Sequence, residues 1–600
     1  MPAPRASEPP PRIQIQNVSP QLDCGRFPVK RTTGDRVDVW ADVFRDGHEV
    51  LGVAIRYKAP GGRWQEAQML PMGNDRYAGS FEVDRCGRWP FRVTAWHDRI
   101  ASWQDEVRRK VEAGQEDLAS ELSEGALLLG RDSITVEEGL GAAVEDRHEL
   151  TEAPQLEVDV DRELARFGSW YELFPRSWGG FAGVEKTLPE LAELGFDVVY
   201  LPPVHPIGRT NRKGKNNALE AGPEDPGSPW AIGASEGGHD AVHPDLGTME
   251  EFERLVARGK ELGIEIAIDL ALQASPDHPW LTEHPEWFQH RPDGTLKYAE
   301  NPPKKYQDIH NFDWDSQDWK GLWEAFRNVV MGWCDRGVRV YRVDNPHTKP
   351  VPLWEWLIKE VRAKYPETIF LSEAFTRPAM MTTLAKAGFA QSYTYFTWKN
   401  TKAELLEFVA QQLEWREFYR GNLFANTQDI LHAYLQHGGR PAFEARLVLA
   451  STISPSYGIY SGYENCENVP LREGSEEYLD SEKYELKQRR LDGELLPLVK
   501  RLNEIRRAEP ALQRIETIRF LETESEHLIA YTRGELVIVV NLDPFRPQEG
   551  LCILPVQLGL PPAFTVEDLL TGKRHPWRIG RNYVGLLPGR SHVMKVLHGV

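Results

Sequence analysis

The stretch GVRVYRVDN at residues 337–345 combines a short β-branched run with two charged residues at its end. Its composition and its alternation predict a strand over 338–343. Arg342 and Asp344 are two residues apart, so in an extended chain their side chains point to the same side. A guanidinium beside Asp344 would keep that carboxyl ionised at neutral pH. The stretch therefore predicts a strand that delivers a charged pair at its C-terminal end.

Similar short apolar runs precede and follow this strand, and helical patterns separate them. Eight strands with helices between them predict a (β/α)₈ barrel, with the catalytic part over residues 167–515. A doubly wound open sheet is the alternative, but no Gly-rich phosphate turn follows any of the runs. The predicted strands are 170–174, 197–201, 264–270, 338–343, 368–373, 393–396, 422–426 and 454–460.

The regions on either side of the barrel have different patterns. Residues 1–11 are rich in proline and predict a disordered tail. Short alternating runs over 12–108 predict an N-terminal β-sandwich, and the acidic stretch 109–166 predicts a helical insert. Short strands return over 516–600 and predict a C-terminal β-sandwich.

Two connections inside the barrel are unusually long, namely 202–248 and 271–315. Long loops in a compact domain are usually functional, and in a barrel the loops that follow the strands build the active site. Each of these loops carries a basic cluster, RTNRKGKNN at 209–217 and NPPKKY at 301–306. The pattern favours an anionic group in the substrate over a pair of solvated turns.

Acidic residues follow several predicted strands at the point where each strand ends. Asp269, Asp344, Glu373 and Asp429 occupy such positions. One of them alone could form a structural salt bridge, but several together at the mouth of a barrel point to a substrate cleft. Glycosidic chemistry requires two carboxyl groups beside the anomeric carbon, one as nucleophile and one as acid/base.

The composition of the chain excludes some classes of binding partner and indicates a cellular compartment. The net charge of −19 argues against general binding to nucleic acid or to an anionic membrane. No apolar run approaches the length of a membrane span, and the N-terminal segment MPAPRASEPPPR lacks the apolar core of a signal peptide. The five cysteines are widely separated and follow no zinc-binding spacing. We therefore expect a cytoplasmic protein.

Three of these motifs resemble signatures of the α-amylase clan. GVRVYRVDN, FLSEAF at 370–375 and NTQD at 426–429 are similar to its strand-four, strand-five and strand-seven motifs. The resemblance covers the chain from about Gly168 to Ala508. It implies that Asp344 is the nucleophile, that Glu373 is the acid/base and that Asp429 steadies the distorted sugar.

The motifs depart from those of ordinary amylases. Gln273 and Ala274 stand where an Asn-His pair is usual, and Gln428 stands where a His precedes the aspartate. Longer stretches resemble a narrower branch, the α-1,4-glucan:maltose-1-phosphate maltosyltransferases. These stretches are LPPVHPIGRTNRKGKNN (201–217), IAIDLALQASPDHPW (266–280), KYAENPPKKYQDI (297–309) and RVDNPHTKP (342–350). Tyr341 and Gln428 differ from that family, where Phe and Pro are usual.

The narrower resemblance implies a substrate, partners and a set of binding residues. It implies transfer of maltosyl units from α-maltose 1-phosphate to the 4-hydroxyl at the non-reducing end of an α-glucan, without a metal or an organic cofactor. It also implies a homodimer formed through the N-terminal parts. Lys483 and Tyr484 would hold the second glucose of the donor. The residues implied for the phosphate are Lys213, Gln273, Asn301, Lys304, Tyr306 and Asn345.

Two other functions remain open at this stage. One is an α-glucan hydrolase or transglycosylase that uses an unphosphorylated donor and would produce reducing sugar. The other is a non-catalytic glucan-binding or transporter-associated protein that keeps the barrel. It would tolerate loss of Asp344 or Glu373, and both are present.

Overall fold

The structure is a computed structural model that describes residues 10–301 and 304–597, except for the side chains of Asn301 and Lys304. The predicted tail at 1–11 lies almost wholly outside the described residues. The chain divides into two compact units, one ending at Arg162 and the other beginning at Glu163. Within the described ranges, no helix is both long enough and apolar enough to cross a membrane.

The first unit contains two β-sheets that enclose an apolar core. One sheet has the strand order β1-β3-β7-β6, and the other has the order β2-β10-β8-β4-β5 with β9 added beside β8. In β3, alternate residues such as Val37, Val39 and Ala41 are buried, which is the period expected of a strand with one face in a core. The strands are β1 (Gln14–Ser19), β2 (Val29–Thr32), β3 (Arg36–Phe44), β4 (Leu51–Lys58), β5 (Trp64–Gln68), β6 (Leu70–Gly73), β7 (Arg76–Glu82), β8 (Gly87–His97), β9 (His148–Glu152) and β10 (Leu156–Asp161).

The helical segment of this unit differs from the predicted insert at 109–166. Its helices are α1 (Arg99–Glu112), α2 (Ala119–Leu128) and α3 (Val136–Leu140). The first helix begins earlier because Asp98 caps it, accepting a hydrogen bond from the backbone N–H of Ala101. The segment ends earlier because β9 and β10 return to the sheet, where β10 alternates buried valines with acidic residues. The acidic composition of this segment favours a helix, but apolar residues recur at every second position in β10, which is the period of a strand.

The second unit contains a closed parallel barrel, which confirms the predicted fold class. Its first strand pairs with its last, with Gly168 opposite Ser456. The barrel strands are β11 (Gly168–Glu172), β12 (Val198–Leu201), β13 (Glu265–Leu270), β16 (Val340–Asp344), β17 (Ile369–Glu373), β18 (Gln391–Tyr393), β19 (Gly421–Phe424) and β20 (Ser456–Tyr460). The helices of this unit are α4 (Gly180–Glu193), α5 (Met249–Glu261), α6 (Trp280–Glu283), α7 (Trp319–Asp335), α8 (Val351–Lys364), α9 (Pro378–Ala387), α10 (Lys402–Glu414), α11 (Ala433–Ile453) and α12 (Leu496–Ala508).

The sixth barrel strand corrects one prediction. The run YTYF at 393–396 is predicted to be the strand, but β18 ends at Tyr393 and residues 395–398 form a 3₁₀ turn. The hydroxyl of Thr394 accepts a hydrogen bond from the backbone N–H of Phe396 and so caps this turn. Aromatic residues favour strands, but here the local cap prevails.

The two long connections of the barrel differ in structure. Between β12 and α5 the chain has no element longer than a short 3₁₀ turn among the described residues. Between β13 and α7 it forms α6 and an antiparallel hairpin of β14 (Tyr298–Asn301) and β15 (Lys304–His310). Ala274 and His310 exchange backbone hydrogen bonds, so the hairpin returns to the end of β13.

The C-terminal part is an antiparallel sheet with the order β26-β25-β28-β23-β22-β21-β24-β27. Its strands are β21 (Ile518–Thr523), β22 (Leu528–Arg533), β23 (Leu536–Asn541), β24 (Gln548–Leu554), β25 (Ala563–Asp568), β26 (Arg574–Arg578), β27 (Gly580–Leu586) and β28 (Ser591–Leu597). Every residue of β22 and β23 is buried. One set of alternating residues, including Ile529 and Ile538, packs in the large core of the barrel, and the other set, including Ala530 and Val539, packs within the sheet domain.

Buried polar contacts join this sheet to α11. Arg533 donates from one terminal nitrogen to the carbonyls of Thr452 and Ile453, each at 2.6 Å. These carbonyls belong to the last turn of the helix, where no intrahelical donor remains for them. The hydroxyls of Tyr531 and Thr452 lie 2.6 Å apart. The sheet thus completes the hydrogen bonding of a helix that belongs to the barrel.

Candidate active site

Two carboxyl groups and one guanidinium meet at the C-terminal ends of β16 and β17. Asp344 and Glu373 are register partners on these neighbouring parallel strands. Arg342 donates from Nη1 to Oδ1 of Asp344 at 2.7 Å, and its Nη2 lies 3.3 Å from Oε1 of Glu373. A planar guanidinium has a fixed width, so sharing it holds the two carboxyl groups close together.

Asp269, at the end of β13, completes the surroundings of this guanidinium. Its Oδ2 lies 2.9 Å from Nη1 of Arg342 and 2.5 Å from the hydroxyl of Tyr200. Arg342 is only 1% exposed, so its charge acts on all three carboxyl groups with little screening by water.

The turn after β16 adds two further contacts. Asn345 has a left-handed backbone with φ of 42°, and its N–H donates to Oε2 of Glu373 at 3.1 Å. The side-chain amide of Asn345 lies 3.3 Å from Oδ2 of Asp344. Lys349 is buried nearby, and its ammonium donates to the carbonyl of Asn345 at 3.3 Å. The turn therefore fixes the orientation of both carboxyl groups.

The electrostatics of the site give the two carboxyl groups opposite protonation states. Burial would raise the pKa of Asp344, but the charges of Arg342 and Lys349 outweigh it and hold this pKa below its ordinary value. Burial raises the pKa of Glu373 to about 8 against the influence of Arg342, and the charges of Asp344 and Asp429 add to the rise. An ionised carboxylate beside a protonated carboxylic acid is the arrangement that divides nucleophile from acid.

A second group of residues lies around Asp429, beyond the end of β19. The ammonium of Lys483 lies 3.0 Å from Oδ1 of Asp429, and the Gln428 amide donates to its Oδ2 at 3.2 Å. Lys483 also lies 5.0 Å from the centre of the Trp230 ring. Tyr484 lines the same pocket as Asp429 and Lys483. The structure thus brings together the residues expected to hold the sugar part of the donor.

The hairpin brings Lys213 near this second group. Lys213 is 3% exposed, and its ammonium donates to Oε1 of Gln307 at 2.6 Å. Burial raises the pKa of Asp308, and the charges of Lys213 and Lys483 oppose that rise, so the three groups are close enough to interact. Among the described side chains, no hydrogen bond or ion pair joins Lys213 to Asp344 or Glu373.

The remaining predicted residues have different positions. Gln273 is buried and donates to the carbonyl of Trp230 at 3.5 Å. Tyr306 lies on β15, within range of the charge of Lys483. The side chains of Asn301 and Lys304 lie outside the described residues. Their proposed contacts with phosphate are left as predictions.

The unusual Tyr341 points away from the site. Its hydroxyl donates to the carbonyl of Val330 at 3.1 Å and lies 3.2 Å from the Cys334 sulfur, both on α7. Its ring stacks on Phe370 with centroids 5.2 Å apart. Tyr341 therefore packs between the barrel and a helix, and we expect its difference from the family to leave sugar contacts unchanged.

Three residues of the site had not been assigned from the sequence. They are Lys349, Tyr200 and Glu172. Glu172 ends β11 and is fully buried, and burial raises its pKa well above the ordinary value. Glu172 is an acidic residue at the end of a barrel strand, and the same feature predicts Asp344 and Glu373 as site residues. Lys349 lies within the RVDNPHTKP motif, but its approach to Asp344 depends on the turn at Asn345.

Comparisons with known proteins define the class first. A family model described as the α-amylase catalytic domain matches residues 168–327. An α-amylase from Lactobacillus plantarum superposes with a TM-score of 0.56 at 22% identity, covering 73% of this chain and 100% of that one. A maltogenic α-amylase from Thermotoga neapolitana superposes with a TM-score of 0.57 at 21% identity, with the same coverage of both chains. The barrel is that of an α-amylase-type catalytic domain.

Sequence comparison identifies the particular family. The model described as "Alpha-1,4-glucan:maltose-1-phosphate maltosyltransferase, domain N/S" matches residues 11–166, and the one described as "GLGE, C-terminal" matches residues 520–598. A maltosyltransferase of this name from Streptomyces coelicolor is 49% identical over 98% of this chain and 96% of its own length. A maltosyltransferase of the same name from Mycolicibacterium smegmatis is 45% identical over 98% of this chain and 97% of its own length. The chain belongs to the α-1,4-glucan:maltose-1-phosphate maltosyltransferase family.

Proposed function

We propose that this enzyme transfers maltosyl units from α-maltose 1-phosphate to α-1,4-glucans by two successive displacements, with Asp344 and Glu373 as the reacting side chains. The observation that carries the mechanism is the shared Arg342 contact, with one carboxyl held ionised and the other protonated. A shared guanidinium suits the short separation of about 5–5.5 Å that is typical of retaining enzymes.

In the first displacement, an Asp344 oxygen attacks the anomeric carbon from the face opposite the phosphate. The bond from that carbon to the phosphate oxygen breaks, and phosphate leaves with the proton of Glu373. The product is a β-maltosyl ester on Asp344. Arg342 and Lys349 favour this step because they keep Asp344 ionised before it attacks.

In the second displacement, Glu373 acts as a base. It accepts the proton from the 4-hydroxyl at the non-reducing end of a glucan, and that oxygen attacks the anomeric carbon of the ester. The ester bond breaks, Asp344 is regenerated, and two inversions produce an α-1,4 linkage. Asp429, which lies against Lys483, would steady the distorted sugar during both steps.

Incubation with α-maltose 1-phosphate and a malto-oligosaccharide tests the overall reaction. We expect one phosphate released for each maltosyl unit added, with chains that grow by two glucose residues. An α-glucan hydrolase or a transglycosylase using an unphosphorylated donor would instead produce reducing sugar or redistributed chains without phosphate. That outcome would reject the proposed donor.

Lys213, Gln273, Tyr306 and Asn345, with Asn301 and Lys304, are proposed to hold the phosphate of the donor. Lys213 supports this as a buried cation in an acidic protein, on a loop that follows a barrel strand. Burial lowers its pKa, and a desolvated ammonium interacts strongly with an anion because little water screens it.

Replacing Lys213 with alanine tests this role. A charge-assisted hydrogen bond to phosphate is worth about 1.5–3 kcal/mol, so kcat/KM for α-maltose 1-phosphate should fall about ten- to a hundredfold. The value for α-maltosyl fluoride, whose leaving group is small, should change much less. Lys215→Ala is a matched control, since Lys215 is on the same loop with its side chain 69% exposed. Equal losses with both donors would assign Lys213 to the sugar or to the fold.

A homodimer formed through the N-terminal unit is also proposed. On the solvent face of its four-stranded sheet, Leu70 and Trp40 are both register partners of Ala78, so the three lie in one row. Leu70 is 60% exposed, and Met72 on the same strand is 67% exposed. An apolar row of this kind on the face of a sheet favours a protein contact.

Light scattering at micromolar concentration should give the mass of two chains. Leu70→Asp combined with Met72→Asp should give one chain, because two charges would be buried in the contact. Val556→Asp is the control, since Val556 is 70% exposed in the C-terminal sheet domain. A wild-type monomer would overturn the proposed dimer, and an unaffected dimer in the double variant would move it to another surface.

The reaction would serve glycogen or related α-glucan synthesis in the cytoplasm. The net charge of −19 and the scattered cysteines support this location. Disrupting the gene in the source organism should lower its α-glucan content, and cell fractionation should recover the protein with soluble cytoplasmic enzymes. An unchanged α-glucan content would reject a role in α-glucan synthesis.

A further inference from the structure

Two loops that follow different barrel strands are joined at the rim of the pocket that contains Asp429. Asn216 lies between β12 and α5, and Asp480 lies in the segment after β20. The Asn216 amide donates to Oδ1 of Asp480 at 3.0 Å, and the backbone N–H of Asp480 donates to Oδ1 of Asn216 at 2.8 Å. We call this reciprocal pair of hydrogen bonds the Asn216–Asp480 clasp.

Both residues of the clasp have left-handed backbones, with φ of 50° at Asn216 and 52° at Asp480. This conformation is uncommon outside glycine, and Asn and Asp tolerate it best because their short side chains can form local hydrogen bonds. Here the two side chains instead form hydrogen bonds across the gap between the loops. Glycine could adopt either backbone but could form neither side-chain contact.

A deeper contact joins the same two loops. Arg176, which follows β11, donates to the carbonyl of Gly227 at 3.0 Å and also to the carbonyl of Glu482. Arg489 in turn lies 2.8 Å from the Glu482 carboxylate. The loops are thus held together at the base independently of the clasp. Opening the clasp should therefore change the rim and leave the base of the pocket in place.

The pocket beneath the clasp is the one proposed to hold the sugar. Its lining includes Asn216 together with Asp429, Lys483 and Tyr484. The family resemblance implies that Asp429 would act at the reacting glucose, and that Lys483 and Tyr484 would hold the second glucose. Asn216 belongs to the same wall and is tied across to Asp480. A glucose held by Lys483 and Tyr484 would therefore lie in the pocket that Asn216 also lines.

We propose that the Asn216–Asp480 clasp closes the donor pocket behind the second glucose and so restricts the enzyme to disaccharide donors. This inference rests on the proposed placement of the second glucose at Lys483 and Tyr484. To enter, a third glucose must displace both hydrogen bonds of the clasp without forming equivalent ones. The clasp is thus a determinant of donor length, and it does not touch the reacting atoms.

The test compares α-maltose 1-phosphate with α-maltotriose 1-phosphate as donors. We expect the wild type to use the trisaccharide donor poorly. Asn216→Gly and Asp480→Gly keep the left-handed backbone and remove or weaken the clasp. In each, the ratio of kcat/KM for trisaccharide over disaccharide donor should rise at least about tenfold, through a lower KM for the longer donor. In the double variant, this ratio should rise no further than in the single variant with the larger effect, because the two residues form one contact.

Asn217→Gly is the matched control. Asn217 is the neighbouring residue with φ of 64°, and within the described part of the chain its side chain forms no hydrogen bond with the opposite loop. Its donor ratio should stay at the wild-type value. An unchanged ratio in both clasp variants would overturn the inference, as would a wild type that uses both donors equally well. Equal losses with both donors and a lower melting temperature would also overturn it, because they indicate a purely structural role.

A further variant separates this inference from the proposed function. Lys483→Ala should weaken the use of both donors, since both place a second glucose there. If Lys483→Ala weakens both and the clasp variants leave the ratio unchanged, the proposed function stands and the inference fails. If Lys483→Ala has no effect on either donor, the placement of the second glucose is wrong, and the inference fails with it.

Discussion

Replacing Asp344 with alanine is expected to lower kcat for maltosyl transfer at least about a thousandfold, because the variant cannot form the covalent ester. The protein should remain folded. Arg342 would keep its contacts with Asp269 and Glu373, so the buried guanidinium would not be left without a partner. Phosphate release from α-maltose 1-phosphate measures the loss, and thermal unfolding checks the fold.

Asp335→Ala is a control for the loss of a carboxylate. Asp335 ends α7 and lies 3.0 Å from the ammonium of Lys364, with its side chain more than half exposed. Its turnover should match that of the wild type. If Asp344→Ala kept more than about a tenth of wild-type kcat, a covalent role for Asp344 would be rejected.

Replacing Glu373 with alanine should separate the two displacements. Phosphate is a good leaving group and departs with little help, whereas a sugar hydroxyl is a poor nucleophile and needs a base. The β-maltosyl ester on Asp344 should therefore accumulate when the donor is added. Intact-mass spectrometry should show one maltosyl unit per chain, and Asp344→Ala should show none under the same conditions.

Azide gives a second readout for Glu373→Ala, because it attacks the ester without needing a base. Added azide should restore turnover and release α-maltosyl azide, because it displaces the β-linked ester with inversion. In the wild type, kcat/KM for the donor should fall only slightly as the pH rises through about 8, where Glu373 loses its proton, because phosphate departs with little help from an acid. In Glu373→Gln this fall should disappear, because the amide does not titrate. Loss of activity with no adduct and no rescue would contradict separate roles for the two steps.

The sequence predicted the barrel because most of its strands are short buried runs bounded by helices. The strand over 338–343 was placed within two residues of β16 (Val340–Asp344). The sixth strand was displaced, since Thr394 caps a turn inside an aromatic run. The helical prediction for the acidic segment after residue 109 is wrong where Leu156, Val158 and Val160 alternate with charged residues, because these residues form β10. Both differences arise where a local hydrogen bond or a period of two outweighs composition.

The site could be predicted in part for a related reason. Asp344 and Glu373 end neighbouring strands, so the topology of the barrel brings them together whatever the loops do. Lys349 reaches its position only through the left-handed turn at Asn345, and no periodic pattern encodes such a turn. The contact between Lys483 and Asp429 joins residues more than fifty positions apart on irregular segments. Sequence reasoning from the residues alone gave no reason to pair them.

The junction between α11 and the C-terminal sheet affects how this enzyme can be divided in the laboratory. A chain cut at residue 515 would lose Arg533, leaving the carbonyls of Thr452 and Ile453 without that donor, and would expose the apolar surface that β22 and β23 cover. Such a fragment should be insoluble or require refolding with the missing piece supplied as a separate peptide. Chimeras that exchange catalytic parts between relatives should therefore carry the C-terminal sheet along, with the joint placed near residue 162.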